Sequence, residues 1–229
     1  MRENLWLEFE ELLDRADSLC DQGRHDEALT FYELAEGLTR GLLNELQTLS
    51  DEERYLFASL YNNWGAALTA LEPPAYGRAV ERYRRALQIK PDFHHALANL
   101  GMALVNQSRP DFETAVRLYR KALKLDPEFH PALYNWGLTL MDHRRSDIDH
   151  LAVIDKFERV LELEPDDAGA LYQLACCYSH LGNRFIALDY LADAIDLDEL
   201  YAEDARFDAA FDWMRTDKNF RRLLGRRQN

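Results

Sequence analysis

The chain has 229 residues, of which 47% are hydrophobic, and it carries only 10 glycines and 7 prolines, so most of it can fold around a core. Its formal net charge of −14 disfavours nucleic acid as the main ligand, because such binding depends on cationic side chains. No apolar stretch approaches the ~18–20 residues that a membrane span needs, and the acidic N-terminus is unlike a secretory or transit peptide.

The first predicted unit is a pair of helices over about residues 9–49. Its small, apolar and aromatic markers are Leu12, Ala16, Leu19, Gly23, Ala28, Tyr32 and Ala35. Its second helix is predicted to run on from Glu27 to about Leu49, because the next N-cap signal is Ser50-Asp51.

The triplet Asn-x-Gly then recurs three times, 36 residues apart. Around the second copy, apolar residues follow the spacing i, i+3, i+4, i+7 of one helix face, and a second amphipathic run is stopped by Asp126-Pro127. The predicted unit is therefore a helix, a turn, a helix and a proline stop. The triplets are Asn63-Trp64-Gly65, Asn99-Leu100-Gly101 and Asn135-Trp136-Gly137, in units predicted at 51–91, 94–127 and 130–165.

A fifth unit is predicted over residues 168–198. The remaining segment, 199–229, is predicted to form two short helices, Ala202–Trp213 and Lys218–Leu224, followed by a basic tail. Because a stack of repeats needs polar elements at its open ends, we expect these helices to cap the last unit.

These five units resemble the tetratricopeptide repeat (TPR) family, whose unit is a 34-residue helix–turn–helix. The resemblance covers about residues 9–198, and the wording "YNNWG" and "LYNWG" is similar to that of bacterial members. It implies an all-α, right-handed helical solenoid (an α–α superhelix) of about five helix pairs with C-terminal capping helices. The chain departs from the family by two extra residues in the turns around Pro73-Pro74 and Arg109-Pro110, and by four in Arg144–His150.

The repeated triplet has a packing interpretation. Glycine inside a helix costs about 1 kcal/mol relative to alanine, so three at one offset predict that the partner helix approaches closely there. The neighbouring Trp64 and Trp136 are predicted to fill space between helices. The three asparagines, Asn63, Asn99 and Asn135, keep two interpretations: a hydrogen bond that joins one helix pair to the next, or a grip on the main chain of a bound peptide.

The resemblance also implies that one face of each first helix lines a concave groove. This wall is apolar and polarisable in its middle, which suits an apolar helix or strand. The alternative is that the superhelix itself or the C-terminal helices bury Met102, Leu138 and Met141. The predicted contact residues are Asn62, Asn63, Asn99, Met102, Asn106, Tyr134, Asn135, Leu138, Met141 and Tyr172.

The groove positions carry no lysine or arginine. Family members that capture a chaperone's C-terminal carboxylate place those residues there, so the chain does not resemble a carboxylate-clamp co-chaperone. We predict a non-catalytic scaffold, adaptor or assembly factor that binds a protein or peptide partner, as a monomer or weak homo-oligomer.

Two alternatives remain open. The first is self-association, because residues 1–57 hold 15 acidic and 5 basic residues, net −10, and the second helices of two units are basic. These basic residues are Arg78, Arg82, Arg84, Arg85 and Lys90, then Arg117, Arg120, Lys121 and Lys124.

The second alternative is a metal-dependent enzyme or a small-ligand sensor. There is no glycine-rich phosphate loop and no paired-cysteine metal spacing, so we predict no catalytic site, cofactor or metal. Histidines do open successive first helices at His94 and His130, and others lie in Asp142-His143 and Asp149-His150. The three cysteines form no disulfide framework, which favours a reducing cytoplasm.

Overall fold

A computed structural model describes residues 2–43, 48–142 and 149–225. These residues form helices and turns without a β-strand, which confirms the predicted all-α fold class of a helical repeat solenoid. The helices are α1 (Arg2–Asp21), α2 (His25–Leu43), α3 (Asp51–Thr69), α4 (Tyr76–Ile89), α5 (His94–Asn106), α6 (Phe112–Leu125), α7 (His130–Met141), α8 (His150–Leu163), α9 (Ala168–His180), α10 (Arg184–Leu197), α11 (Leu200–Phe207) and α12 (Lys218–Leu224), with a 3₁₀ helix (Ala209–Met214) between α11 and α12.

The first compact unit comprises residues 1–127 and holds the pairs α1–α2, α3–α4 and α5–α6. Its core is built from small and aromatic side chains that recur on one face of each helix, among them Phe9, Tyr32, Trp64 and Tyr83. Each pair has an apolar face that it cannot bury alone, so neighbouring pairs bury it together.

The second compact unit comprises residues 128–229, with the pairs α7–α8 and α9–α10 at its start. The elements after α10 pack against α9 and α10, and they bury Phe211, Met214 and Phe220 in one cluster with Leu191. The segment after residue 198 therefore shares the core of the last helix pair.

The turns carry the extra residues, as predicted. The three-residue turns 22–24 and 181–183 contain Gly23 and Gly182 with φ of 74° and 72°, a left-handed conformation that glycine adopts without a Cβ clash. The turns 70–75 and 107–111 are longer and contain no glycine. These longer turns reverse the direction of the chain without any residue in the left-handed conformation.

The start of α3 follows the predicted capping signal. The Ser50 hydroxyl accepts a hydrogen bond from the Glu53 amide at 3.2 Å, and the Glu53 carboxylate accepts one from the Ser50 amide at 2.7 Å. This reciprocal pair satisfies two amides that the helix itself leaves without partners. The helix before it is described to Leu43; residues 44–47, part of its predicted extension to Leu49, lie outside the described residues.

The predicted close approach at the glycines is confirmed. A Cβ atom on Gly65 would lie 2.5 Å from the ring of Tyr83, and one on Gly101 would lie 2.7 Å from the ring of Tyr119. At Gly137 the ring of Phe157 would be 2.7 Å away. In each pair, an aromatic ring of the second helix thus occupies the space that a side chain on the first helix would need.

Because of this contact, we expect Gly65→Ala to lower the stability of the protein, whereas Gly→Ala within a helix usually raises it. In an open helix the change stabilises by up to about 1 kcal/mol, but here the fully buried Tyr83 ring must move, so we expect a net loss of about 1–3 kcal/mol. Gly37→Ala is the matched control, because Gly37 lies within α2 with nothing near its Cβ position, and it should stabilise. Urea denaturation measures both; two changes of the same sign would contradict the packing explanation.

The C-terminal segment corrects one prediction. The single helix predicted over Ala202–Trp213 is broken at Asp208 into α11 and the 3₁₀ helix. The Asp208 backbone is extended, and its carboxylate accepts a hydrogen bond from the Ala210 amide at 2.8 Å. An aspartate used in this way begins a new helix rather than continuing the old one, because its side chain competes for backbone donors.

None of the helices over the described ranges combines the length and the apolar character needed to cross a membrane.

Candidate functional site

A chain of side-chain amides joins the three first helices of the first unit. Asn99 on α5 donates to the side-chain oxygen of Asn62 at 3.0 Å, and Asn62 donates to Asn63 on the same helix, α3, at 3.1 Å. Asn63 in turn donates to both carboxylate oxygens of Asp17 on α1, at 3.2 and 3.0 Å. Asn63 and Asn99, two of the three asparagines of the repeated triplet, therefore form hydrogen bonds between helix pairs. This is the first of the two interpretations given for them.

Asp17 is the end of this network and was not identified from the sequence. Its Oδ1 also accepts a hydrogen bond from the Tyr32 hydroxyl at 2.6 Å. Burial, followed by this hydrogen bond, raises the pKa of Tyr32 far above its ordinary value, so the phenol stays a donor. Asp17 and Asn63 are 46 residues apart, and no local pattern could have paired them.

The predicted face of α5 is only partly accessible. Met102 is half-buried, and Asn106 is exposed with its amide donating to the Met102 carbonyl at 2.9 Å. Ala98, one turn before Met102, is fully buried. The exposed end of α5 thus presents a thioether and an amide.

In the second unit, Tyr134, Leu138 and Met141 follow one another along one face of α7. Tyr134 is half-buried, meets the ring of Phe157 edge-on at 5.5 Å between centroids, and has its pKa raised to about 12 by burial. Leu138 is 37% exposed. The half-buried Met141 has its sulfur 3.9 Å from the Cys177 sulfur, and Asn135 on the same helix is also half-buried.

Tyr172 occupies the position on α9 that Tyr134 occupies on α7, but it is only 6% exposed. Its ring stacks on Tyr201 at 4.8 Å between centroids, and its hydroxyl donates to Asp208 at 3.0 Å. At the end of α9, the buried Ser179 hydroxyl donates to the Ala210 carbonyl at 2.6 Å. The chain's own C-terminal elements therefore cover this face, and Tyr172 is not accessible to a partner protein.

Three side chains of the second unit could hold a divalent ion. The Nε2 atom of His130 lies 2.8 Å from a carboxylate oxygen of Asp167 and 3.6 Å from one of Glu164. The other oxygen of Asp167 accepts a hydrogen bond from the Ala170 amide at 2.7 Å, which caps α9. The grouping also has a structural use, because it ties the start of α7 to the start of α9. Sequence spacing pointed to His130, but it gave no reason to group Glu164 or Asp167 with it.

The cysteines have the environment of structural thiols. Cys176 and Cys177 are buried, and Cys20 is half-buried. Burial raises the pKa of Cys177 to about 12 and raises those of Cys176 and Cys20 as well. A thiol with a raised pKa holds little of the reactive thiolate form at neutral pH.

The basic side chains of α4 and α6 are largely engaged within the first unit. The Arg82 guanidinium lies 3.7 Å from the centre of the Trp64 ring and 3.7 Å from the Glu36 carboxylate. Lys90 pairs with Asp92 at 3.1 Å, and Lys121 donates to a backbone carbonyl at 2.8 Å. These contacts fit a solvated face with local partners, so they add no support to self-association through this surface.

Family models for the tetratricopeptide repeat match residues 94–129 and 156–187. No curated protein sequence matches the chain. Among solved structures, MamA is 17% identical with a TM-score of 0.60, covering 86% of this chain and 94% of that one. MamA from Desulfovibrio magneticus RS-1, from residue 41 to its end, is 16% identical with a TM-score of 0.62, covering 84% and 96%.

YrrB, a TPR protein with an unusual peptide-binding site, is 23% identical with a TM-score of 0.56, covering 85% of this chain and 90% of that one. At these identities the likeness is one of fold. The two family matches show that the chain contains tetratricopeptide repeats, and the glycine–aromatic contact recurs in three of its helix pairs.

Proposed function

We propose that the protein is a non-catalytic scaffold, an adaptor or assembly factor, that holds a segment of a partner protein on the exposed faces of its first helices. Each unit offers its own proposed contact residues: Met102 and Asn106 on α5 of the first unit, with Asn62, Asn63 and Asn99 as the polar support, and Tyr134, Asn135, Leu138 and Met141 on α7 of the second unit. The likeness to YrrB, a TPR protein with an unusual peptide-binding site, supports the class of function.

The observation that carries the proposal is the contrast between α7 and α9. Tyr134 and Leu138 are equivalent to Tyr172 and Cys176, which lie 38 residues further along. On α9 this face holds the chain's own C-terminal elements through aromatic stacking and hydrogen bonds. On α7 the same face leaves Leu138 exposed. The surface on α9 binds a segment of its own chain. The equivalent surface on α7, in the preceding repeat, is therefore suited to bind a segment of a partner.

The partner proposed is an apolar helix or extended segment, because the exposed positions offer leucine, methionine and tyrosine surfaces. The absence of lysine and arginine from these positions argues against carboxylate capture. The raised thiol pKa values argue against cysteine nucleophiles. Three free thiols favour the cytoplasm as the location.

A pair of exposed leucines tests the proposal. Leu138→Asp places a charge on the proposed surface, whereas Leu151→Asp places the same charge on α8, where Leu151 is 71% exposed. Loss of one buried leucine contact costs roughly 1.5–3 kcal/mol, so recovery of a captured partner should fall about tenfold or more with Leu138→Asp. Recovery should stay unchanged with Leu151→Asp.

The measurement is quantitative capture from native lysate with the full chain, each variant first checked for wild-type helicity. A partner that is retained equally by Leu138→Asp and by Met102→Asp would rule out the first-helix surface. Equal losses for Leu138→Asp and Leu151→Asp would indicate an effect of net charge instead.

A further inference from the structure

A cavity of about 370 Å³ opens in the first unit between the last turns of α1 and α3. The last turn of α1 contributes Asp17 and Asp21, and the end of α3 contributes small side chains that leave the entrance wide. The remaining walls come from α2 and from Asn63. The lining residues are Asp17, Cys20, Asp21, His25, Tyr32, Asn63, Ala66, Ala67 and Ala70.

The cavity contains a carboxylate with no cation beside it. Half-buried Asp17 accepts hydrogen bonds from Tyr32 and Asn63, both neutral donors, and forms no ion pair with any side chain in the described ranges. Its Oδ2 atom accepts only the single bond from Asn63, so it has room for another donor. A carboxylate with a free acceptor position forms a stronger, charge-assisted hydrogen bond with a cationic donor than with a neutral one.

The ends of two helices also favour a positive charge in this cavity. The last turns of α1 and α3 both line the cavity, and neither contains a basic residue. The carbonyl end of a helix carries about half a negative charge, which favours a cation nearby. His25 lines the wall as well.

We propose that this cavity takes a basic side chain, in first place an arginine, of a partner segment that docks on the first unit. The inference rests on the proposed function and specifies the partner: an apolar segment that carries one basic residue. Arginine suits the site because its guanidinium offers several donors that reach a carboxylate and a second acceptor together. The net charge of −10 over residues 1–57 attracts such a segment before it docks.

The test uses N-acetyl-arginine amide as the probe and N-acetyl-citrulline amide as its control, because citrulline has nearly the same shape but a neutral head group. The ¹⁵N-labelled full chain is titrated at pH 7.5. We expect saturable shifts of the Asn63 side-chain amide and of the Ala66 and Ala70 backbone amides with the arginine compound. The citrulline compound should bind about tenfold more weakly, since it lacks the charge-assisted bond.

Three variants locate the effect. Asp17→Asn should abolish the preference for arginine over citrulline, whereas Asp14→Asn, which removes the same charge from an exposed position of α1 outside this cavity, should retain it. Ala70→Leu fills the entrance from an exposed position and leaves the Tyr32–Asp17 bond in place, so it tests the cavity if Asp17→Asn weakens the fold.

Equal binding of the two compounds, or binding that survives both Asp17→Asn and Ala70→Leu, would overturn the inference, as would the absence of saturable shifts. Such a failure is distinct from a failure of the proposed function, because Leu138 belongs to the other compact unit and is tested with a different ligand.

Discussion

Replacing Trp64 by alanine should lower the free energy of unfolding by about 3–5 kcal/mol. Trp64 is 1% exposed, with Tyr32 and Tyr61 each 6.3 Å away between ring centroids. The Arg82 guanidinium lies over the ring at 3.7 Å. Alanine would leave a cavity among rigid rings that cannot collapse into it, and it would remove the cation–π contact as well.

The loss is measured by urea denaturation followed by far-ultraviolet circular dichroism, as a lower transition midpoint. Tyr55→Ala is the control on the same helix, because Tyr55 is 50% exposed and lies 5.6 Å from the ring of Phe93 between centroids. We expect its cost to stay below about 1 kcal/mol. Comparable losses for the two variants would show that Trp64 has no special place in the core of the first unit.

Replacing Phe211 by alanine should be about as costly, ~3–5 kcal/mol, and should loosen the covered face of α9. Phe211 is fully buried and contacts the rings of Tyr172 and Phe220 at 6.0 and 5.7 Å between centroids. It therefore joins the 3₁₀ helix both to α9 and to α12. Without it, Tyr172 and Ser179 lose the segment that shields them.

Urea denaturation measures the stability, and amide hydrogen exchange in α9 measures the loss of cover. Phe207→Ala is the matched control, four residues away and 84% exposed, and it should change the stability by no more than about 0.5 kcal/mol. If the Phe211→Ala protein keeps wild-type protection in α9, the C-terminal elements do not stabilise that face.

Much of the fold was predictable because the same packing residues recur at the same positions in several repeats. A glycine in the first helix and an aromatic residue in the second recur together, and the structure places each glycine against that ring. The capping signal at Ser50 and the longer turns were predictable for a similar reason, since they depend on residues only a few positions apart.

The break at Asp208 was harder to see. An aspartate inside an amphipathic run is compatible with one continuous helix, and only the packing of the flanking segments on α9 and α10 distinguishes the two outcomes. The Asp208 carboxylate both caps the 3₁₀ helix and accepts the hydrogen bond from Tyr172. The second of these partners is 36 residues away and has no local signature.

The sequence by itself determined the repeat class, the helix pairs and the residues that lie on each face of the first helices. These features follow from periodicity and from side-chain volume within about 36 residues. Only the tertiary structure decided which of those faces remain accessible. Tyr134 and Tyr172 occupy the same repeat position, yet the segment after α10 covers one and leaves the other half-buried. Likewise, only folding brings Asp17 to Asn63 and leaves its carboxylate in a cavity with no ion-pair partner among the described residues. Accessibility and charge pairing depend on contacts between distant segments, and a local pattern does not encode them.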